Sequence, residues 1–350
     1  MRRMLTIAVC AGFVGLVAPL STDGRTQQST TTFKNIKVFD GLSDQQIDDA
    51  MMYMRASLGV QCEHCHDDKD WSLDTKEEKR TAREMIRMVR DLNRQLGDDL
   101  AVSCYTCHRG QSKPTTSVPL LTERPAMVKT PVKPLPPSAG VTSDAVVQRY
   151  LEASGGDAWS KLTTRVMKGR LVTSEPAVYP AEVSYKAPDK FHSRILVGGE
   201  PYRKGFDGTR GWSADNRGSH DAQGGELERL RQQAAFALPV TLRTFYPALT
   251  VDGETVIGSE PAVVLSAPGK GSERDRLFFS TRSGLLLRIE SATVSPLGVL
   301  PRRLDYEDYR RLNGVRLPLK IRETDPDFTY LWEFTNVRQN VALDEAMFRP

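Results

Sequence analysis

The chain has 350 residues, 39% of them apolar and 26% charged, with a formal net charge of +4. Those totals describe ordinary globular material, long enough for two domains, and a charge so mild argues against nucleic acid as a partner. Beyond the first 20 residues no segment approaches the roughly 18 unbroken apolar residues that a membrane helix needs.

The N-terminus differs from everything after it. "MRRM" supplies a positive start, "LTIAVCAGFVGLVAPL" at 5–20 is an uncharged apolar run, and polar sequence follows from Ser21. This is the layout of a secretory signal peptide, read here as residues 1–25, with an uncleaved anchor as the competing reading. Cys10 is a poor lipidation site, since bulky Val9 precedes it and the apolar run continues past it. The expected location is therefore periplasmic, with membrane association left open. Once a signal is removed, the remaining cysteines are Cys62, Cys65, Cys104 and Cys107.

Residues 33–110 read as small and helical. Ser43 with Gln46 forms a capping-box signal, and Ile47, Met51, Met54 and Leu58 then share one helical face before Gly59. Thr75 with Glu78 repeats the signal, and Ala82, Met85, Val89, Leu92 and Leu96 form a second apolar stripe before Gly97. Met88 lies on the flank of that stripe. Each helix leads into one Cys-x-x-Cys-His motif, "CEHCH" at 62–66 and "CYTCH" at 104–108. Residues 114–140 form a proline-rich linker, which favours extended conformation and reads as a semi-rigid spacer.

From 141 to 350 the texture changes. A short capped helix ends at Gly155-Gly156, and alternating apolar runs follow with turn signals between them. Asp-Gly at 252–253, Ser-Gly at 283–284 and Asn-Gly at 313–314 read as hairpin turns. A helix over 225–238 interrupts the strands. The expected fold class is multidomain: a small all-α domain at 33–113, plus an α+β antiparallel, half-barrel-like, β-rich domain.

Three chemistries compete for the paired motifs. One zinc could be held by two Cys-x-x-Cys pairs, but the 38 residues between Cys65 and Cys104 exceed the usual spacing and leave both histidines unused. Redox dithiols need a thioredoxin-like setting with strands, and none reads as such here. Covalent haem uses every residue: Cys62 and Cys65, or Cys104 and Cys107, form thioethers to a porphyrin edge, while His66 or His108 binds the iron. The expected cofactors are thus two covalently bound haem c groups. For the sixth iron ligands histidine is scarce. His64 lies inside its own motif, and only His192 and His220 remain, both in the β-rich part. Methionine is plentiful, and the helical faces admit Met51 or Met54 for the first haem, with Met85 ahead of Met88 for the second.

"MMYMRASLGVQCEHCH" and "TAREMIRMVRDLN…VSCYTCHRG" resemble the cytochrome c subunit of photosynthetic reaction centres. In that family a helix carrying the axial methionine precedes each motif. Carried over by position, the resemblance implies Met51 and Met85 as axial ligands. It covers only residues 33–113, and the family's subunit carries four haems where this chain has two motifs. Shortened relatives also look like general periplasmic electron carriers. The ending "FTNVRQNVALDEAMFRP" and the helix-then-meander layout resemble, by pattern alone, the half-barrel of LolA-like lipoprotein carriers, which implies lipid at this domain. A docking or structural domain is the competing reading, in which Trp159, Trp212 and Trp332 pack a core.

Methionine–histidine ligation leaves no open iron position and favours one-electron transfer. No phosphate loop or nucleophile elbow appears. The expected function is an electron carrier, not an enzyme, serving periplasmic or membrane electron donors and acceptors. The alternative is a lipid- or protein-binding module with an accessory haem domain. Asp67, Asp68, Asp70 and the basic run Arg83, Arg87, Arg90, Arg94 read as solvated faces.

Overall fold

The computed structural model describes residues 32–97, 101–114, 134–173, 177–216, 218–268 and 274–350, so the signal-like segment and most of the proline-rich stretch lie outside the described residues. Helix α1 spans Asp44–Leu58. Its start is the expected capping box: Ser43 Oγ accepts from the Gln46 N–H while the Gln46 side chain accepts from the Ser43 N–H. Gly59, left-handed at φ +64°, stops it. Helix α2 spans Glu77–Leu96, starting later than the Thr75 signal implies. The reason is local: the Thr75 hydroxyl donates to Asp67 Oδ2 at 3.1 Å, so it does not cap the helix.

The face α2 presents to the protein also differs from the expected stripe. Its buried residues are Arg83 and Ile86, whereas Met85, Leu92 and Leu96 stay 37–42% exposed. Arg83 donates to Asp74 Oδ1 at 2.8 Å and to the Asn35 carbonyl at 3.1 Å; Arg90 donates to the Val38 carbonyl at 2.6 Å. Two members of the basic run are therefore staples, because a long side chain can cover apolar surface while its head finds an acceptor.

Beyond the linker, helix α4 spans Ser143–Ser154, after a one-turn helix α3 at Cys104–His108. The strands are β1 Thr164–Thr173, β2 Val178–Lys186, β3 Lys190–Val197, β4 Glu200–Phe206, β5 Gly211–Asp215 and β6 Gly218–Asp221. Helices α5 Gly224–Gln233 and α6 Leu238–Phe245 interrupt them. The expected single helix over 225–238 is split, since Pro239 lacks an N–H and is suited to a helix start. The second run is β7 Thr250–Ile257, β8 Glu260–Pro268, β9 Arg274–Ser280, β10 Leu286–Ser295, β11 Gly298–Leu312, β12 Val315–Thr324 and β13 Thr329–Gln339.

All of them join one 13-stranded sheet in the order β6-β5-β4-β3-β2-β1-β13-β12-β11-β10-β9-β8-β7. Two meanders run outward from a central pair: β13 returns to lie antiparallel beside β1, with Arg165 opposite Gln339. Ser283-Gly284 and Asn313-Gly314 are the turns expected of them. Asp252-Gly253 is not a turn. Gly253 sits inside β7 at a register shift, where a Cβ would stand 2.3 Å from the Leu135 carbonyl oxygen. Leu135 exchanges two 2.8 Å backbone bonds with Glu254, and the Ser138 N–H donates to Glu254 Oε1. The end of the proline-rich stretch is thus docked along an edge strand, which masks that edge from further pairing.

Helix α1 packs against the sheet. Tyr53 lies against Gly298, where an added Cβ would come within 2.4 Å of the ring. Leu297 and Leu300 complete the cluster formed by Ile47, Ala50 and Ile86. Asp49 faces Arg229 of α5 at 3.9 Å, and the Arg55 guanidinium lies 4.3 Å from the Phe328 ring centroid.

Candidate haem-attachment sites

Each Cys-x-x-Cys-His motif forms a single helical turn. In the first, Cys62–His64 is a 3-10 turn and the His66 N–H donates to the Cys62 carbonyl at 3.0 Å. In the second, Ser103 caps α3 through Thr106. One turn brings both sulfurs of a pair to the same side of the backbone and sets the histidine directly after them. None of the four cysteines is paired in a disulfide. Among the described residues no three Cys, His, Asp or Glu side chains converge as a metal cage. The two cysteine pairs therefore do not meet in the tetrahedron that a shared zinc requires.

The two histidines are held alike. His66 Nδ1 bonds the Trp71 carbonyl at 3.0 Å, and His108 Nδ1 bonds the Gln111 carbonyl at 2.9 Å. A carbonyl oxygen only accepts, so Nδ1 is the donor in both rings, and in the neutral ring this leaves the Nε2 lone pair free. This is the arrangement in which a backbone acceptor orients a metal-binding imidazole. His64 makes no such bond. The donor set, two thiols and one oriented imidazole per motif, fits a covalently attached haem.

The two units touch. The Gly110 N–H donates to the Ser57 carbonyl at 2.8 Å, and a Cβ on Gly59 would stand 2.2 Å from the Gly110 oxygen. The turn after the second motif is thus seated on the end of α1, just before the first. Met51 and Met54 pack against the cluster that includes Cys104 and Ile86, whereas Met52 turns to the sheet side. Met85 and Met88, at 37% and 43% exposure, stand on the open face of α2. His192 is buried in β3 beside Trp212, with ring centroids 6.0 Å apart. His220 is exposed on β6 and reaches Glu226 at 3.3 Å.

A second concavity was not foreseen as a particular set of residues. Between the sheet and helices α1, α4, α5 and α6 lies a cavity of about 800 Å³, with Asp49 and Met52 of α1 on its wall. Odd-numbered positions such as Arg165, Leu171, Tyr185 and Phe191 face it, following the two-residue period of a strand. Trp159 and Trp332 also line it, whereas Trp212 is core, 1% exposed and donating to the Phe348 carbonyl at 2.8 Å. The alternation in β2 and β3 was visible in the sequence, but which face would be concave was not.

The family described as the photosynthetic reaction centre cytochrome C subunit matches residues 14–133. This stretch resembles that subunit. Cytochrome c-554 of Chloroflexus aurantiacus is 37% identical over 81 residues, which is 21% of this chain and 20% of the relative. The reaction center cytochrome c subunit of Thermochromatium tepidum is 35% identical over 101 residues, 23% of this chain and 25% of the relative. That of Roseobacter denitrificans is 27% identical over 146 residues, 37% and 39% respectively. The chain thus spans less than half the length of these relatives. Among solved structures, a LolA superfamily protein of Nitrosomonas europaea is 15% identical with a TM-score of 0.42, covering 60% of this chain and 98% of that one. A DUF1329 family protein of Desulfovibrio piger is 14% identical with a TM-score of 0.43, covering 59% and 96%. The similarity to cytochrome c subunits is thus confined to the stretch that carries the two motifs. Among the described residues no helix is long and apolar enough to cross a membrane.

Proposed function

We propose that this chain is an exported carrier of single electrons holding two covalently bound haem c groups. Cys62 and Cys65 attach one, and Cys104 and Cys107 the other. His66 and His108 would hold the irons through Nε2, and Met51 and Met85 would supply thioether ligands. When bound, each haem supplies a reversible one-electron iron couple. The residues do the rest: the carbonyls of Trp71 and Gln111 hold the imidazoles in one orientation, and α1 and α2 would supply the methionines. The observation that carries this reading is the matched pair of Nδ1 bonds to backbone carbonyls. The donors and acceptors are periplasmic or membrane redox proteins, a reaction centre being one candidate class.

Mass spectrometry and a haemochrome spectrum test the reading: two haems per chain are expected, and fewer than two overturns it. Met51→Ala and Met85→Ala should each remove one long-wavelength methionine–iron band. An unchanged spectrum would move the ligand to Met54 or Met88.

The cavity of about 800 Å³ supports a second reading, in which residues 141–350 form a lipid-binding module and the haem region is its accessory. Volumes of about 300–1,000 Å³ suit small apolar ligands. Lipid extracted from the purified chain and identified by mass spectrometry would favour it; a cavity that takes no lipid removes it.

A further inference from the structure

Arg165 is a feature of the cavity wall that an apolar guest does not explain. It lies on β1 with only 6% of its surface exposed and lines the cavity. Among the described residues its Nε and Nη1 have no hydrogen-bond partner. Three aromatic rings surround the guanidinium, with centroids 4.4 Å away at Tyr185, 5.1 Å at Phe236 and 5.8 Å at Trp159. Ring faces attract a cation but give Nε and Nη1 no conventional acceptor, while the Tyr185 phenol supplies a side-chain hydrogen bond to the guanidinium. Burial pushes the guanidinium pKa down, and the favourable interactions opposing this come from the Tyr185 phenol.

Other partly or fully buried arginines are treated differently. Arg302 donates to Glu323 at 2.7 Å, Arg288 to Asp305 at 2.6 Å, and Arg83 to Asp74 at 2.8 Å. Each has a carboxylate across from it. A buried charge normally has such a partner, because desolvation otherwise disfavours it strongly. Arg165 has aromatic rings around its guanidinium instead.

We propose that the cavity takes an amphiphile with a single acidic head, a carboxylate or a phosphate monoester, and that Arg165 binds that head. This rests on the lipid-binding reading of residues 141–350. The acyl chain lies along the aromatic wall, and the head oxygens accept from the guanidinium. A neutral lipid fills the same space but leaves the charge uncompensated, so the site discriminates by charge and not by chain.

The test is calorimetric titration of the full haem-loaded chain with palmitate, hexadecyl phosphate and hexadecanol, each below its aggregation concentration. One or both acids should bind about 10- to 100-fold tighter than the alcohol, the range expected of charge-assisted hydrogen bonds. The tighter acid identifies the head. Arg165→Met should bring the acids level with the alcohol while hexadecanol binding persists. Equal affinity of acids and alcohol in the unmodified chain overturns the assignment of Arg165 but leaves the cavity a lipid site. Binding of none of the three overturns the lipid reading itself. The comparison within the unmodified chain decides the matter even where Arg165→Met does not fold.

Discussion

Residues 32–114 and residues 141–350 reach a folded state by different means. The first region buries few large apolar side chains, and its cluster of Val38, Phe39, Ile47, Ala50, Tyr53 and Ile86 is completed by Leu297 and Leu300 from the sheet. The second supplies its own cores, one of them built on Leu242, Leu265, Leu277, Phe279 and Leu286. A unit of about 80 residues seldom buries enough apolar surface alone and relies on covalent or prosthetic support. The apolar face of α2, with Met85, Leu92 and Leu96 exposed, is where such support would be placed. The first region is thus organised around its motifs and the second around its topology.

Phe279, 1% exposed within its cluster, offers the largest way to separate the two regions. Phe279→Ala should cost the sheet about 3–5 kcal/mol. Denaturant unfolding followed by tryptophan fluorescence should show that loss while haem-band absorbance keeps its midpoint. A single shared transition would mean that the regions fold as one unit.

Gly59 tests the other side. At φ +64°, and with a Cβ destined for 2.2 Å from the Gly110 oxygen, Gly59→Val combines backbone strain with a backbone clash. A loss of roughly 2–3 kcal/mol confined to the first region is expected. Hydrogen exchange over 44–58 and 104–110 should accelerate while the strands stay protected. Unchanged exchange there would show that the two motif units are not joined through this contact.

Acid should act on the second region. Burial, aided by Arg203, pushes the His192 pKa down to about 4, so its ring is neutral in the folded sheet. Unfolded, it takes up a proton near its ordinary value of about 6.5. Between those values the unfolded chain binds more protons, so stability is full above about pH 6.5 and falls as pH drops toward 4. The linkage is worth at most about 3 kcal/mol. His192→Gln should flatten the pH dependence of the denaturation midpoint; an unaltered slope would place the acid sensitivity elsewhere.

The smallest effect concerns the joint between the regions. Arg229 stands 3.9 Å from Asp49, whose own pKa burial raises. Arg229→Ala should weaken the seating of α1 by about 1 kcal/mol, seen as faster exchange in α1 with both haem spectrum and sheet protection preserved. No change in α1 would indicate that apolar contacts such as Tyr53 on Gly298 hold the joint alone.

Much of the first region was legible because its signals are local. The Ser43 capping box, the stop at Gly59 and the one-turn motifs each involve residues a few positions apart. The Asn313-Gly314 turn was legible for the same reason, with both residues at positive φ. Asp252-Gly253 carried the same turn signal and misled. Its glycine serves the approach of Leu135, a residue far away in the chain, which no short window contains. The stripe on α2 misled similarly: apolar residues at helical spacing share a face, but the spacing does not say what covers that face.

By itself the sequence determined which side chains group for chemistry: two thiols and a histidine per motif, each set within one turn, with methionine helices ahead of them. These are matters of spacing along one chain segment, and spacing is what a sequence states. Only the tertiary structure decided that α1 has a sheet behind it, that its Met52 looks into a chamber while Met51 packs beside Cys104, and that Arg165 lacks a carboxylate partner. Those outcomes depend on β13 returning to pair with β1 and on how the sheet encloses a space against the helices. Contacts between distant segments arise from that closure, and no local pattern encodes them.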